Sequence, residues 1–287
     1  MNVHVIAFLI SFAFSLLLTP LSILLAKRFG FIAYPAPRGW HQQPTPLLGG
    51  AALLISFTTA LWWIIPKDQR CYPLLLGAIL SFLLGLIDDF CHLQPLPKLL
   101  GQIVIGWAAI PSHSPLVIAF VVLMMNSFNL LDNIDGLASG VAMIISLGLA
   151  GVGFLSHQEG LAVNGLVLAG AAAGFLIYNF HPAKIFMGDC GSLLLGFCLS
   201  FESARFLVPS PLPLLILLSL LAVPLADTLF VIYSRLRIGK PIVDGGQDHL
   251  SHWLLSRQFS VRQTVLILYA ITLITSATGL CWAVFFR

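Results

Sequence analysis

Two carboxylates and three amides, Asn126, Asn129, Asp132, Asn133 and Asp135, stand between two strongly apolar runs. An ionised carboxylate at membrane depth costs at least a few kcal/mol, so such groups are normally paired, bound to a cation or turned towards water. If the segment is helical, the three-residue spacing of Asn129, Asp132 and Asp135 puts an amide and two carboxylates on one face. Hard oxygen donors converging in this way suit a divalent cation or a ligand rich in donors. Asp88 and Asp89 end another apolar run, with Lys98 soon after. Like charges side by side at the negative end of a helix dipole call for a cation or a shared proton. Asp189 lies between Gly188 and Gly191, where the chain can fold tightly and helix-start amides can face an anion. Arg38 and His41 sit in a proline-rich loop before Gly49 and Gly50, with types suited to a phosphate or to a membrane interface. Arg235, Arg237, Asp248, His249 and His252 fall in a late polar stretch whose basic start suits phosphates and whose imidazoles suit a reacting pyrophosphate.

The elements that must carry these groups are membrane helices. The 287-residue chain is 59% hydrophobic with mean hydropathy +0.98, and only 9% of its residues are charged, against roughly 25% in soluble domains. Its apolar runs approach the ~20 residues that span a bilayer as helix and lack the alternation of barrel strands. The fold class expected is all-α, a polytopic membrane protein of ten spans near 3–26, 47–66, 72–87, 98–110, 115–131, 137–156, 161–180, 191–207, 211–233 and 264–285, forming one integral-membrane domain over 1–287. Lys27, Arg28, Arg38, Lys98, Lys184, Arg235, Arg237, Lys240, Arg257 and Arg262 all fall on odd-numbered loops. The positive-inside rule therefore puts those loops in the cytoplasm and both termini outside. Every polar cluster belongs to an odd loop, so the clusters can close on one cytoplasmic-face cavity. The first run lacks a basic lead and a small-residue cleavage site and reads as a retained span.

Other polar residues carry blander readings. Cys71, Cys91, Cys190, Cys198 and Cys281 show no metal spacing. Glu202 and Arg205, three apart, suit an intrahelical ion pair, and Asp227, one turn after Pro224, suits the lining of the same cavity.

In this order, Arg38/His41 with Pro-Thr-Pro and Gly49-Gly50, Asp88-Asp89 with Lys98, Asn126 to Ala138, Met187-Gly188-Asp189 with Gly191-Ser192, and Asp248-His249 with His252 bring a family into view. The chain resembles the polyprenyl-phosphate N-acetylhexosamine-1-phosphate transferases of glycosyltransferase family 4, which include initiating enzymes of peptidoglycan, enterobacterial common antigen and teichoic acid. It departs from the pattern at Leu47 and Leu48, where Arg or Met is common. It also has Asn133 where Gly is usual between the two acids, and Ser251 where the family has a further His. The resemblance implies Mg²⁺-dependent transfer, with Mn²⁺ an alternative, of a sugar 1-phosphate from a UDP-sugar to polyprenyl phosphate at a bacterial inner membrane, releasing UMP. It implies catalytic roles for Asp88, Asp89, Asp189 and His249, and metal ligation by Asp189, Asp88 and Asp135. Substrate contacts would come from Asn129, Asp132, Asp135, Lys98, Arg235, Arg237, His252, Arg38 and His41. The partners implied are the two substrates and the lipid bilayer, with no nucleic acid and a homodimer left open. The competing reading is an ion- or proton-coupled transporter, but such sites usually lie at the midplane between repeats, and no repeat is visible. A CDP-alcohol phosphotransferase is excluded because Asp135-Gly136-Leu137-Ala138 is followed by Ser139 rather than Arg.

Overall fold

A computed structural model describes residues 3–35, 43–64, 72–204, 211–241 and 246–285. Arg38, His41, Cys71, Arg205 and Asp244 lie outside the described residues, and with them the Glu202–Arg205 pair and the phosphate role expected of the first polar loop.

The apolar runs fold as helices because in a bilayer only helices and closed barrels satisfy their own backbone polar groups. Among the described residues there are twelve: α1 (Val3–Phe29), α2 (Gly49–Ile64), α3 (Tyr72–Cys91), α4 (Pro95–Ala109), α5 (Pro115–Leu131), α6 (Leu137–Leu155), α7 (Glu159–Asn179), α8 (Gly188–Ser203), α9 (Pro211–Leu220), α10 (Ala222–Arg237), α11 (Leu250–Ser256) and α12 (Val261–Phe285). Each run expected to span is helical, but the ninth is two helices, α9 and α10, bent by 71° about Leu221. Pro224 explains the break, since it donates no hydrogen bond to the carbonyl of Leu220 and its ring crowds that group.

Five helices, α1, α3, α6, α7 and α12, are long and apolar enough to cross a membrane, and the bent α9–α10 pair makes a sixth if counted as one span. Ten crossings are therefore more than length and apolarity show. Helices α2, α4, α5 and α8 have 16, 15, 17 and 16 residues, which at ~1.5 Å per residue reach roughly 22–26 Å against a hydrocarbon core of ~30 Å. Large apolar side chains are exposed along α1, α3, α4 and α12, as expected of faces that meet lipid.

Helices α6 and α7 are largely buried and form the central pair. Small residues let backbones approach where lipid gives no hydrophobic drive to associate. A Cβ on Gly170 would lie 2.4 Å from the Phe8 carbonyl oxygen, and one on Gly165 would lie 2.8 Å from that of Ser146, so α7 is fitted against both α1 and α6. On the α1 face Ser15 donates across to the Ala171 carbonyl of α7 at 2.7 Å, whereas Thr19 turns back to the Ser15 carbonyl of its own helix, also at 2.7 Å.

Two short strands, β1 (Ile32–Ala33) and β2 (Thr45–Pro46), pair antiparallel and pin the first polar loop. Beyond β2 the chain hydrogen-bonds the segment before α8: Phe186 N–H donates to the Pro46 carbonyl at 2.9 Å, Gly49 N–H to that of Phe186 at 2.9 Å, and Gly50 N–H to that of Met187 at 3.0 Å. The start of α2 thus braces the start of α8.

Candidate functional site

The end of α3 and the start of α8 meet closely enough that a Cβ on Gly85 would lie 2.3 Å from the Asp189 carbonyl oxygen. Only a residue without a side chain fits, and the contact brings Asp88 and Asp89 to the first turn of α8. The two neighbours do not face a common cation. They diverge to different partners. Asp89 accepts from the N–H groups of Asp189 at 2.8 Å and Cys190 at 3.1 Å, so the anion expected at the start of α8 is an internal carboxylate. This geometry offsets the burial of Asp89 with two otherwise orphaned donors and the positive end of a helix dipole. Gly188, at φ +71, permits the turn, and a Cβ there would meet the Asp89 carboxylate at 2.6 Å.

Asp88, 8% exposed, accepts from Leu93 N–H at 2.7 Å and pairs with Lys98 at 2.7 Å. Lys98, in the first turn of α4, also pairs with Asp189 at 2.6 Å and donates to the Asn129 side-chain carbonyl at 3.0 Å. All three of its ammonium donors are used. Asn129 in turn donates to Asp189 at 2.7 Å and to the Ser192 hydroxyl at 3.1 Å. One turn deeper, Gln102 and Asn126 exchange hydrogen bonds of 3.3 and 2.6 Å, which hold α4 to α5 in register below this cluster.

Helix α5 stops at Leu131, and Gly136 at φ +79 opens α6, so Asp132 and Asp135 lie in a turn rather than on a helical face with Asn129. The expected face does not form, because the backbone leaves helical geometry at Asp132, with φ −77 and ψ 48. The turn nonetheless sends Asp132 into a cavity of about 250 Å³ lined by Leu47, Asp89, Asp132, Asn133, Asp135 and Asp189, among others. Burial, and then the charges of Asp189, Asp89 and Asp135, push the Asp132 carboxyl well above the usual carboxylate range. Asp135 is drawn to the α7–α8 segment, accepting from His181 Nδ1 at 2.7 Å and Ala183 N–H at 3.0 Å. Tyr269 of α12 braces the turn by donating to the Gly136 carbonyl.

A second, larger cavity of about 730 Å³ opens on the other side of the cluster. Its walls are Leu96, Leu99, Val122, Leu123, Val231 and Ile232, with Asp88, Lys98, Asn129 and Arg235 at one end. Asp88, Lys98 and Asp189 therefore stand where a carboxylate-lined cavity meets an apolar one.

The other expected residues are placed less centrally. Arg235 is buried, lies 3.4 Å from Asp248 and borders the apolar cavity, whereas Arg237 is exposed at the end of α10. His249 and His252 are buried with ring centroids 5.2 Å apart and are not among the lining residues of either cavity. They reach the first cavity through Ser251, which donates to the side-chain carbonyl of Asn133 at 2.6 Å. Burial, with His249 beside it, lowers His252 to about 4. Asp227, expected in a cavity wall, is 1% exposed and is held instead by His249 and Leu250. Sequence reasoning missed His181 and Ser192 as partners of Asp135 and Asn129. Ser192 follows the glycine-bracketed Asp189 closely and was within reach, whereas His181 carried no signal.

The donor set fits a divalent cation in one manner only. The first cavity has four carboxylates and no basic residue in its lining, a charge excess that a cation would relieve. Yet among the described residues no three of His, Cys, Asp and Glu are grouped closely enough to enclose a metal. The expected set of Asp88, Asp135 and Asp189 is no cage, because Asp88 is turned to Lys98 and Asp135 to His181. Mg²⁺ suits such a place, since it keeps several waters and is usually held by one or two carboxylates together with substrate phosphates. Asp132, with no hydrogen-bond donor among the described residues, and Asp189, at 32% the more exposed of the two carboxylates paired with Lys98, are the carboxylates that would hold it.

Comparison with known proteins bears on this arrangement. A family model for glycosyl transferase family 4 matches residues 107–206. The chain is 32% identical to a "probable undecaprenyl-phosphate N-acetylglucosaminyl 1-phosphate transferase" of Bacillus subtilis, over 96% of this chain and 84% of the relative. It is 35% identical to a decaprenyl-phosphate N-acetylglucosaminephosphotransferase of Mycolicibacterium smegmatis, over 85% and 73%. It is 30% identical to a phospho-N-acetylmuramoyl-pentapeptide-transferase of Acetivibrio thermocellus, over 96% and 94%. Extended identity to bacterial transferases, over a chain whose acids and apolar cavity adjoin, shows that it belongs to glycosyl transferase family 4 as a multi-pass membrane phosphotransferase of the polyprenyl-phosphate group.

Proposed function

We propose that the chain transfers N-acetylhexosamine 1-phosphate from a UDP-sugar to a polyprenyl phosphate, giving polyprenyl-diphosphate-sugar and UMP at the start of a cell-envelope glycan. The observation that carries this reading is the Asp88–Lys98–Asp189 cluster at the meeting of a carboxylate-lined cavity and an apolar one. A reaction between a polar nucleotide sugar and a greasy phosphate needs such a junction. In the reaction an oxygen of the acceptor phosphate attacks the sugar-bearing phosphorus of the donor. The bond from that phosphorus to the bridging oxygen breaks, and UMP leaves with the electron pair.

The prenyl chain lies in the apolar cavity with its phosphate at Lys98 and Arg235, both at the polar end of that space. Lys98 exchanges carboxylate partners for the incoming phosphate, and Asp88, so released, takes up any proton that phosphate still carries. The donor diphosphate lies along Asp132 and Asp189, and Asn129 keeps Asp189 oriented. Asp89 keeps the start of α8 in place. His249 and His252 act on the diphosphate or sugar from the α11 side. Mg²⁺ held by Asp132 and Asp189 would neutralise the charge that develops on the phosphates. With the odd loops on the cytoplasmic side, the donor is drawn from the cytoplasm and both termini face outward.

The test is to incubate purified protein with undecaprenyl phosphate, Mg²⁺ and, in turn, labelled UDP-GlcNAc, UDP-GalNAc and UDP-MurNAc-pentapeptide, and to follow labelled lipid and UMP. One donor should give both products in equal amounts, and Asp189→Asn should lose at least a thousandfold in turnover while remaining folded. Full turnover by Asp189→Asn, or no lipid product from any of the three donors, overturns the proposal.

A further inference from the structure

The late polar stretch returns to the membrane helices through one buried carboxylate that the site as described leaves without a task. Asp227, on α10, is 1% exposed, and both of its oxygens are occupied by α11 and the residue that precedes it. Oδ2 accepts from His249 Nδ1 at 2.9 Å, and Oδ1 accepts from Leu250 N–H at 2.8 Å. Twenty-two residues separate Asp227 from His249, so the contact is a tertiary one that fixes where the late loop lands. An ionised carboxylate only accepts, so His249 must carry its proton on Nδ1. Its Nε2 makes no hydrogen bond within the described residues. The ring is thereby presented with one nitrogen anchored and the other ready to accept a proton or a hydrogen bond.

The surroundings make this a directed contact rather than a general filling of polar space. The His252 ring packs edge-on 5.2 Å away, Asp248 pairs with Arg235 next to it, and Ser251 donates to Asn133 in the lining of the carboxylate cavity. Three consecutive residues, Asp248, His249 and Leu250, are thus tied to α10, and Ser251 after them is tied to the cavity wall. A buried carboxylate is costly unless its lone pairs are met. Here they are met only if the late loop is docked, so the cost of burying Asp227 also enforces the docking.

We infer that Asp227 is a positioning residue for the transferase reaction, holding His249 in a single tautomer and orientation beside the carboxylate-lined cavity. This rests on the proposed role of His249 at the diphosphate. Carboxylates that orient a functional imidazole change activity by about 10- to 100-fold when removed at metal sites, and by more where the wrong tautomer results. Asp227→Asn keeps an acceptor for Leu250 N–H but presents an amide N–H₂ to the imidazole, which favours the opposite tautomer.

The experiment compares Asp227→Asn, Asp227→Glu, His249→Gln and the double variant Asp227→Asn/His249→Gln by steady-state kinetics with the active UDP-sugar. It adds ¹⁵N-histidine NMR of the wild-type protein, with the His249 signals assigned by their loss in His249→Gln. The expected result is a 10- to 1000-fold fall in kcat for Asp227→Asn with KM within threefold, partial recovery in Asp227→Glu, and no further loss in the double variant beyond His249→Gln. NMR should find wild-type His249 with the proton on Nδ1. A wild-type His249 protonated on Nε2, additive losses in the double variant, or an unaffected kcat in Asp227→Asn beside a crippled His249→Gln overturns the inference. Near-wild-type kcat in His249→Gln instead overturns the reading of His249 on which it rests. Should Asp227→Asn fail to fold, Asp227→Glu and the wild-type NMR still decide.

Discussion

Replacing Lys98 by Met keeps the length of the side chain and removes its charge. In the structure this ammonium holds Asp88 at 2.7 Å, Asp189 at 2.6 Å and the Asn129 carbonyl at 3.0 Å, and its own side chain is 13% exposed. Removing one partner from a buried ion pair costs about 3–5 kcal/mol, because the remaining charge has no compensation. Two carboxylates would be left here, but Asp189 is 32% exposed, and water reaching it screens part of the loss. The net destabilisation expected is therefore ~2–4 kcal/mol, or a fall in Tm of roughly 5–12 °C for a chain of this size. Millimolar Mg²⁺ should restore more of that loss in Lys98→Met than it adds to the wild type, since the cation then has two unpaired carboxylates to join. The assay is thermal unfolding in detergent with and without Mg²⁺, alongside turnover as polyprenyl phosphate is varied. Turnover should fall at least a hundredfold, with a raised KM for the lipid. Wild-type Tm and a KM unchanged within threefold would refute the reasoning, because the ion cluster would then neither hold the helix ends together nor receive the phosphate.

Gly85→Ala should lower turnover by about a hundredfold, because its methyl would meet the Asp189 carbonyl oxygen at 2.3 Å and force α3 away from α8. Activity within threefold of wild type in a folded Gly85→Ala protein would show that the close contact does not set the site. His252 is held near 4, below its ordinary value of about 6.5, so the unfolded chain takes up the proton first as pH falls. Its contribution is intact above about pH 6.5 and is lost as pH falls towards 4. After allowance for solvent screening this is on the order of 1–2 kcal/mol, and His252→Gln should flatten the fall in Tm between pH 7 and pH 4.5. Parallel losses in both proteins would contradict it.

The helices were legible in the sequence because long apolar runs have one way to satisfy their backbones in lipid. The break in the ninth run was marked by Pro224, yet a proline alone does not specify a bend of 71°. Loop parity, which counted ten crossings, allowed Asp88, Asp132 and Asp189 to share a side without saying how they meet. The local geometry was not legible: the spacing of Asn129, Asp132 and Asp135 suggested a helical face, and the backbone leaves the helix at Asp132 before that face can form. Individual partners were hidden for a different reason. Asp135 with His181, and Asp227 with His249, join residues 46 and 22 positions apart, and periodicity carries no information about contacts of that kind. Membership of a transferase family removes the transporter alternative, which the acids alone left standing.

Asp89 occupies the two leading N–H groups of α8, a spot that many nucleotide-binding proteins leave vacant for the phosphates of their ligand. This chain has already filled that seat with a side chain of its own. A polyanion approaching the acidic chamber therefore meets repulsion until it brings positive charge with it. On the proposed reading, donor capture would depend on positive charge that accompanies or precedes the nucleotide sugar into the carboxylate-lined cavity.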